Sequence, residues 1–260
     1  MTDEHVIPNY GDKYQADALF SPTDLVKVQD EGLPDVPPTV ILGFQPELTA
    51  AVRDRAEATV DVVRSQQCHR LSETVGYVPV HESGVGAPVT AMVAENVIAA
   101  GAEAVVMLGG CACLQPDISP HAAILPTETI RDEGVSHHYV PPEEAVTATA
   151  SLVDRLAERL QSEGFETPRG TTWTTSAMYR ETVPEIEQYR EDGVVSLCME
   201  SAAFWAVCEY RGVDAATVHQ IGDYLTADEW VPESDDEQGF PEMLPPVVEA
   251  LAEHADSARD

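Results

Sequence analysis

AVVMLGG, at residues 104–110, is the stretch that decides the fold of this 260-residue chain. Its five consecutive apolar residues predict a strand that is buried on both faces, as in a parallel sheet. The strand runs directly into two glycines, which let the backbone turn and approach a ligand closely. Ligands of parallel sheets bind just beyond the carboxyl ends of the strands. This stretch therefore predicts both the type of sheet and the edge that holds the site.

Apolar runs and helical patterns alternate on both sides of this segment. Strands are predicted at 39–43, 77–81, 104–108, 122–126, 170–175, 194–198 and 215–221, and helices at 46–63, 89–100, 143–163, 183–191, 200–210 and 240–256. This alternation predicts a single three-layer α/β/α domain with a central mixed, mostly parallel sheet that curls towards a barrel. Residues 1–38 are predicted as an N-terminal arm, residues 39–260 as the domain, and 228–239 as a mobile acidic loop.

The charge balance restricts the classes of partner. There are 46 acidic residues against 14 basic ones, a formal net charge of −32, and only two lysines. Such a surface repels nucleic acid and anionic membranes, so we expect neither as a partner. No apolar run approaches the roughly 20 residues that a membrane helix needs. Abundant acids with few lysines favour a cytoplasmic protein of a halophile, because molar salt screens the self-repulsion.

The cysteines and histidines do not predict a metal site. An odd number of cysteines, five, lies mostly within apolar segments and indicates reduced, buried thiols. Cys111 and Cys113 have no second ligand pair at a suitable spacing. His137 and His138 are adjacent, and a metal-binding or acid–base role is the alternative to loop structure. We expect no metal and no organic cofactor.

Six segments resemble signature stretches of one enzyme family. They are GVGAP at 84–88, LGGCACLQPDI at 108–118, RDEGVSHHY at 131–139, YRET at 179–182, CMESAA at 198–203 and IGDYL at 221–225. Their order over residues 39–225 is similar to that of nucleoside phosphorylases of the uridine phosphorylase and hexameric purine nucleoside phosphorylase type. The resemblance implies reversible phosphorolysis of a nucleoside to free base and pentose-1-phosphate, with phosphate as the co-substrate.

The resemblance also implies roles at the sugar and at the base. Glu200 would bind the 2′- and 3′-hydroxyls of the ribose, with Met199 packed on the sugar; otherwise Glu200 is a first-turn helix acid. Asp223 would donate a proton or hydrogen bond to N7 of a departing purine, which favours a purine mildly over uridine. The alternative for Asp223 is a turn-capping residue. Met178 and Arg180 are predicted to contact the base.

Phosphate binding is implied for three further residues. The backbones of Gly43 and Gly110 would approach the anion, because glycine permits close contact with backbone amides. Arg70 would bind the phosphate of a neighbouring subunit through its guanidinium, and it is otherwise a surface arginine. The resemblance thus implies a homo-oligomer, at least a dimer, and the family commonly forms trimers of dimers.

Four positions depart from the family pattern. Leu48 and Met107 stand where the family has arginines, Gly110 replaces a hydroxyl residue, and Asp17 falls where a histidine reaches the sugar. Each missing arginine contact costs about 1.5–3 kcal/mol of phosphate binding. Two alternatives therefore stay open: a nucleosidase that uses water, and a catalytically silent nucleoside-binding protein.

Overall fold

A computed structural model describes residues 13–27, 32–63, 66–226, 229–232 and 240–259. The strands are β1 Thr39–Gly43, β2 Ala58–Asp61, β3 Gln67–Arg70, β4 Val75–Pro79, β5 Ala104–Cys113, β6 Ala123–Asp132, β7 Arg169–Thr175, β8 Ser196–Cys198, β9 Asp214–Leu225 and β10 Trp230–Pro232. The α-helices are α1 Pro22–Lys27, α2 Pro46–Arg53, α3 Ala87–Ala99, α4 Ala150–Ser162, α5 Val183–Glu191, α6 Ser201–Arg211 and α7 Phe240–Arg259. Short 3₁₀ turns lie at Val80–Glu82, Ser136–His138 and Met178–Arg180.

The strands form one mixed sheet that closes on itself in part. Their order is β10-β9-β6-β7-β8-β5-β1-β4-β3-β2, and β9 also pairs with β5. Five strands, β5, β9, β6, β7 and β8, therefore make a ring, and β1 to β4 extend from it. The longest registers, β5 with β9 and β6 with β7, are parallel, whereas β8 meets β5 in an antiparallel pair. The predicted α/β fold with a curling mixed sheet is confirmed.

The segment 104–110 occupies the centre of this sheet, as its composition predicts. Val105, Val106 and Leu108 are fully buried between β1 on one side and β9 on the other. Helix α3 packs on α6, and α4 packs on α7. Within α4, a buried stripe at Leu152, Leu156 and Leu160 repeats every four residues and faces the core. Burial of such a leucine contributes about 2 kcal/mol.

The prediction of a helix over 46–63 is wrong beyond Arg53. The helix α2 ends in a tight turn, where the N–H groups of Arg55 and Ala56 both bond to the carbonyl of Val52. The chain then forms β2, which pairs with β3 in an antiparallel hairpin. Thr59 and Val60 favour strands, and their pairing partners lie about ten residues away. A helical pattern within a short stretch of sequence carries no information about such a pairing partner.

Other boundaries also differ from the predictions. Helix α4 begins at Ala150 because Thr149 is tied to β9: its N–H donates to the Ala215 carbonyl, and its hydroxyl accepts from the Ala215 N–H. The loop prediction for 228–239 is wrong at 230–232, which form β10 against β9. Residues 228 and 233–239 lie outside the described residues.

The N-terminal region is described only in part. Residues 13–27 include the helix α1, whose Val26 is buried in the main core, whereas Leu19 and Phe20 are exposed. Residues 1–12 and 28–31 of the predicted arm lie outside the described residues, and the boundary at residue 38 stays a prediction. Among the helices that are described, each is too short or too polar to cross a membrane.

Candidate active site

Strand register brings three of the predicted site residues to one edge and one face of the sheet. Gly43 pairs with Leu108, and Gly110 follows two residues later on β5. Asp223 pairs with Ala112, again two residues further, after a bulge in β9. Residues two apart on a strand point to the same face, as do register partners. Gly110 is the one exposed position of β5, so this face is open to a ligand at the predicted edge.

Glu200 is held by backbone amides at the start of α6. Its Oε1 accepts a hydrogen bond from the Gly86 N–H at 2.8 Å, and its Oε2 accepts one from the Met199 N–H at 3.0 Å. Gly86 has a φ of 90°, a conformation that favours glycine, and it lies against the Met199 side chain. The segment GVGAP therefore positions the carboxyl group that follows β8.

The environment of Glu200 favours its neutral form. The residue is 9% exposed, and burial raises the pKa of its carboxyl to about 7, although the two backbone donors act in the opposite direction. Each carboxylate oxygen has a second lone pair, so Glu200 can accept two more hydrogen bonds from a ligand. Two adjacent hydroxyls of a sugar are suitable donors.

A buried polar layer that the sequence did not indicate lies behind Glu200. His219 is fully buried on β9, and its Nδ1 lies 3.2 Å from the Ser196 hydroxyl. The Ser196 hydroxyl donates to Thr172 at 2.9 Å, which leaves it able to accept from His219. Burial lowers the pKa of His219 to about 4, so the imidazole is neutral at physiological pH. The layer adds no net charge next to Glu200.

Asp223 lies in a more open environment than Glu200. The Trp230 indole donates to its Oδ2 at 2.5 Å, across the antiparallel pair of β9 and β10. Partial burial raises the pKa of Asp223, and the indole hydrogen bond opposes this rise. A raised pKa suits a group that donates a proton to a leaving group. Trp230 itself is 64% exposed.

A second carboxyl group, Glu181, lies close enough to Asp223 for their charges to interact. Burial and the Asp223 charge raise the pKa of Glu181 to about 7. Glu181 belongs to the YRET segment at 179–182, and its sequence context alone indicates no role for it. Its proximity to Asp223, the proposed general acid, is evident only once the chain is folded.

Met178 and Arg180 belong to the 3₁₀ turn that follows β7. Met178 is 50% exposed, and Arg180 is exposed as well. Arg180 lines a cleft of about 430 Å³ together with Asp132, Thr175 and Glu185, and neither Glu200 nor Asp223 is part of that lining. Contact of these two residues with a base stays a prediction.

Uncharged side chains occupy two positions at the predicted phosphate end where the resemblance implies arginines. Leu48 is fully buried and Met107 is 1% exposed, so the positions where the family has arginines serve core packing. Two glutamines lie close to the predicted glycines: Gln45 follows Gly43 by two residues, and Gln220 pairs with Gly110. The side-chain oxygens of both glutamines are buried without a hydrogen-bond partner among the described residues.

Gly43 is required by packing. A Cβ atom there would lie 2.0 Å from the Tyr77 hydroxyl oxygen. That hydroxyl is hydrogen-bonded to Thr49 of α2 at 2.8 Å, and Tyr77 is fully buried. The tyrosine ring therefore covers one face of Gly43, and only the backbone groups at the strand end remain for a ligand.

Arg70 lies far from the site of its own chain. It pairs with Gly76, which pairs with Val40 at the opposite end of β1 from Gly43. Arg70 is therefore offset from Gly43 by three residues along the strand direction, roughly 10 Å, and by two strand spacings across the sheet, again roughly 10 Å. The Arg70 guanidinium donates to the Asp35 carbonyl at 2.5 Å. A role for Arg70 in a neighbouring subunit stays a prediction.

A cavity of about 760 Å³ lies elsewhere, between the N-terminal segment and the distal ends of α3 and α6. It is lined by Phe20, Met92, Tyr139 and Tyr210, among others. Tyr210 is ten residues along α6 from Glu200, or about 15 Å at the helical rise. This cavity is therefore separate from the edge that holds Glu200 and Asp223.

No group of three or more His, Cys, Asp or Glu side chains that could hold a metal ion occurs in the described part of the chain. His137 bonds through Nε2 to the Arg131 carbonyl, and His138 contacts the Lys13 side chain. All five cysteines are buried and unpaired with one another.

Glu200 follows β8 and Asp223 lies on β9, the two strands that pair with the C-terminal half of β5. Two carboxyl groups beside one ring of strands are typical of an α/β protein with a small-molecule site. The chain belongs to the phosphorylase superfamily, whose sequence model matches residues 38–257.

Individual relatives are distant in sequence. The chain is 24% identical over 174 residues to the DeoD-type purine nucleoside phosphorylase of Caldanaerobacter subterraneus subsp. tengcongensis, covering 66% of this chain and 75% of the relative. It is 23% identical to the guanosine phosphorylase of Halorubrum lacusprofundi, covering 64% and 69%. Among solved structures, AMP nucleosidase from Bacteroides thetaiotaomicron matches with a TM-score of 0.74 at 19% identity, covering 92% and 100%. The last similarity concerns the fold alone.

Proposed function

We propose that this protein is a nucleoside phosphorylase, a pentosyltransferase that cleaves the N-glycosidic bond with inorganic phosphate. The products are a free base and a pentose-1-phosphate. The observation that carries the proposal is the buried Glu200 carboxyl, which two backbone amides fix at the end of β8. The names of the purine nucleoside and guanosine phosphorylases among its relatives support the same activity.

Glu200 binds the sugar in this mechanism. Its carboxylate accepts hydrogen bonds from the 2′- and 3′-hydroxyls, while Met199 packs against the ring. Cleavage develops positive charge on the sugar, and a nearby carboxylate stabilises that charge more strongly in the transition state than in the ground state. Substrate hydroxyls also replace the water that the partly desolvated carboxylate lacks, so binding favours its ionised form.

Asp223 assists departure of the base. A protonated or hydrogen-bonding carboxyl at N7 neutralises the negative charge that develops on a purine as the bond breaks. Trp230 holds one Asp223 oxygen, which leaves the other for the base. This role favours a purine over uridine as the natural substrate, with Met178 and Arg180 on the base side.

Phosphate binds near Gly43, at the end of β1, and near Gly110, in the C-terminal half of β5. The remaining positive charge comes from Arg70 of a neighbouring subunit, so the active form is a homo-oligomer built from dimers. Phosphate is the co-substrate, and the reaction uses no metal or organic cofactor. The net charge of −32 supports a cytoplasmic, salt-adapted protein with no nucleic-acid or membrane partner.

Hydrolysis is the second candidate. It is favoured by one observation: buried Leu48 and Met107 stand at the family's arginine positions, and uncharged Gln45 and Gln220 lie at that end of the site. The similarity in fold to an AMP nucleosidase is compatible with it. A nucleoside-binding protein without turnover is the third candidate.

The test is base release from inosine, guanosine, adenosine and uridine in molar KCl, with and without phosphate. We expect release to require phosphate and to yield pentose-1-phosphate. Equal release without phosphate would replace the proposal with hydrolysis. Binding of a nucleoside without release, measured by calorimetry, would support the silent binding protein.

A further inference from the structure

Two glutamine side chains flank the exposed position Gly110 at the predicted phosphate end. Gln220 of β9 is the register partner of Gly110, so both point to the same face of the sheet. On the other side of β5, Gln45 follows Gly43 by two residues, and its backbone is still extended, with a φ of −107° and a ψ of 133°. Two strand spacings, roughly 10 Å, therefore separate the two glutamines, and Gly110 lies between them.

Each of these glutamines carries an unused hydrogen-bond acceptor. The side-chain oxygens of Gln45 and Gln220 are buried without a hydrogen-bond partner among the described residues, and Gln220 as a whole is 1% exposed. A buried amide oxygen that lacks a donor is unfavourable, and nearly all such groups in proteins are paired. The space between the two side chains therefore suits a ligand that donates hydrogen bonds.

Donors for an anion lie beside the same space. The helix α2 begins at Pro46, directly after Gln45, and no side chain caps it. The N–H groups of the first turn, at Glu47 and Leu48, have no partner within the helix. Uncapped N–H groups at a helix N-terminus bind anions. A ligand at this position can thus donate to the glutamines and accept from the backbone.

The charges around this space favour a ligand with a single negative charge. The charged and titratable side chains on the adjoining elements are Glu47 and Arg53 of α2, His81 and Glu82 of the 3₁₀ turn after β4, and Asp223 of β9. Arg53 is paired with Glu82 at 2.8 Å, so its charge is already balanced. Glu47 and Asp223 remain as carboxyl groups, and a second negative charge on the ligand would be repelled by them.

We propose that Gln45 and Gln220 make this site selective for a protonated oxyanion, dihydrogen phosphate, and against sulfate. The inference rests on the proposed function, because it assigns the ionic form of the co-substrate. Dihydrogen phosphate has two P–O–H donors, one for each glutamine oxygen, and its other two oxygens accept from backbone N–H groups. Sulfate has the same shape, but at neutral pH it carries two charges and no proton. It would leave both glutamine oxygens unpaired.

The test measures the Kd of phosphate and of sulfate by calorimetry at pH 6 in molar KCl, for the wild type, Gln45→Met and Gln220→Met. Methionine keeps the length of the side chain and removes the acceptor. We expect the wild type to bind phosphate at least about fiftyfold more tightly than sulfate, because sulfate satisfies neither glutamine. Each substitution should weaken phosphate binding about fivefold to twentyfold and change sulfate binding less than about threefold. The control is Gln67→Met on β3, whose amide contacts Asp61 at 3.5 Å; it should change neither Kd.

The dependence on pH tests the ionic form directly. Wild-type phosphate binding should weaken about tenfold from pH 6 to pH 8, because phosphate loses its second proton near neutral pH. The double variant Gln45→Met/Gln220→Met should show a shallower dependence, since it no longer distinguishes the two forms. Titration of His81 would instead give equal slopes in the wild type and the double variant, and this result would contradict the inference.

Equal affinities for phosphate and sulfate in the wild type, or an unchanged ratio in the variants, would overturn the inference while leaving phosphorolysis intact. Should Gln220→Met fail to fold, Gln45→Met decides alone, because its side chain lies outside the sheet. Should base release not require phosphate, the proposed function fails, and the titrations still decide about the glutamines. Selective phosphate binding that the substitutions remove supports their role, and no binding of phosphate contradicts it.

Discussion

The two carboxyl groups of the site, Glu200 and Asp223, are held in opposite ways. Glu200 is 9% exposed and receives hydrogen bonds from two backbone N–H groups, whose positions depend on the turn at Gly86 and on the start of α6. Asp223 is half-buried and receives one hydrogen bond from an exposed side chain, Trp230. The carboxyl group at the sugar end is thus positioned by backbone groups, whereas the carboxyl group at the base end is positioned by a side chain.

This difference separates the tasks of the two ends. A sugar hydroxyl pair has the same geometry in every nucleoside, so a rigid acceptor suits it. Bases differ in their donors and acceptors, and side chains on an exposed turn and an edge strand can be exchanged without rebuilding the sheet. Substitutions at the sugar end should therefore abolish activity on all substrates, and those at the base end should change preference among substrates.

Glu200→Gln should have the largest effect. An amide cannot accept from both backbone N–H groups, because its nitrogen would face a donor, and it loses the charge that binds the ribose hydroxyls. We expect kcat/KM to fall about a hundred- to ten-thousandfold for every nucleoside, the result of losing two charge-assisted hydrogen bonds. Glu209→Gln, at an exposed position of the same helix, is the control and should retain wild-type kinetics. Kinetics within twofold of wild type in Glu200→Gln would remove the sugar clamp from the mechanism.

Asp223→Asn should have a smaller effect that falls on kcat. Asparagine keeps an acceptor for Trp230 but cannot donate a proton to the base, and general acid catalysis contributes about a hundredfold or more. We expect kcat for purine nucleosides to fall about a hundredfold with little change in KM. A substrate whose base leaves readily without protonation should be affected least.

The control for this variant is Trp230→Phe, which removes only the indole donor. Loss of this one hydrogen bond from an exposed indole to Asp223 should lower kcat roughly threefold to tenfold. A loss in Trp230→Phe as large as that in Asp223→Asn would mean that the edge strand, and not the proton, limits the reaction.

The smallest effect concerns stability and depends on pH. The pKa of Glu200 is raised in the folded protein to about 7, above its ordinary value of 4.5. Between these values the folded state binds more protons than the unfolded state, so the free energy of unfolding falls as pH rises. From pH 5 to pH 8 this group should remove about 2–3 kcal/mol. Denaturant titrations at both pH values should show this fall in the wild type and not in Glu200→Gln; equal falls would contradict the raised pKa.

Much of the fold could be predicted because its central strands have a clear local pattern of consecutive apolar residues. The five apolar residues at 104–108, followed by two glycines, are typical of a buried strand of a parallel sheet. The signature segments predict that Glu200 and Asp223 lie at strand ends. Glu200 lies between β8 and α6, as the sequence predicts. The strand β9 continues past the predicted end at residue 221 to Leu225, so Asp223 lies within it, opposite Ala112 of β5.

What could not be predicted depends on contacts between distant segments. The short strands β2 and β10 have little apolar pattern of their own, and pairing with β3 and β9 defines them. Glu181 and Trp230 stand out only after the fold brings their segments next to Asp223. His219 has no local sequence signal either, since its burial and its hydrogen bond to Ser196 come from the closed ring of strands.

The close approach of Tyr77 to Gly43 has a consequence for how variants at that position are interpreted. Even alanine would displace a buried ring that is hydrogen-bonded to Thr49 at α2. Inactivity of a Gly43 variant would thus report damage to this corner of the fold, whatever its backbone does for phosphate. Gly43 is thus constrained by its contact with Tyr77 as well as by its proposed contact with phosphate. A relative that uses water in place of phosphate as the nucleophile would therefore still retain this glycine.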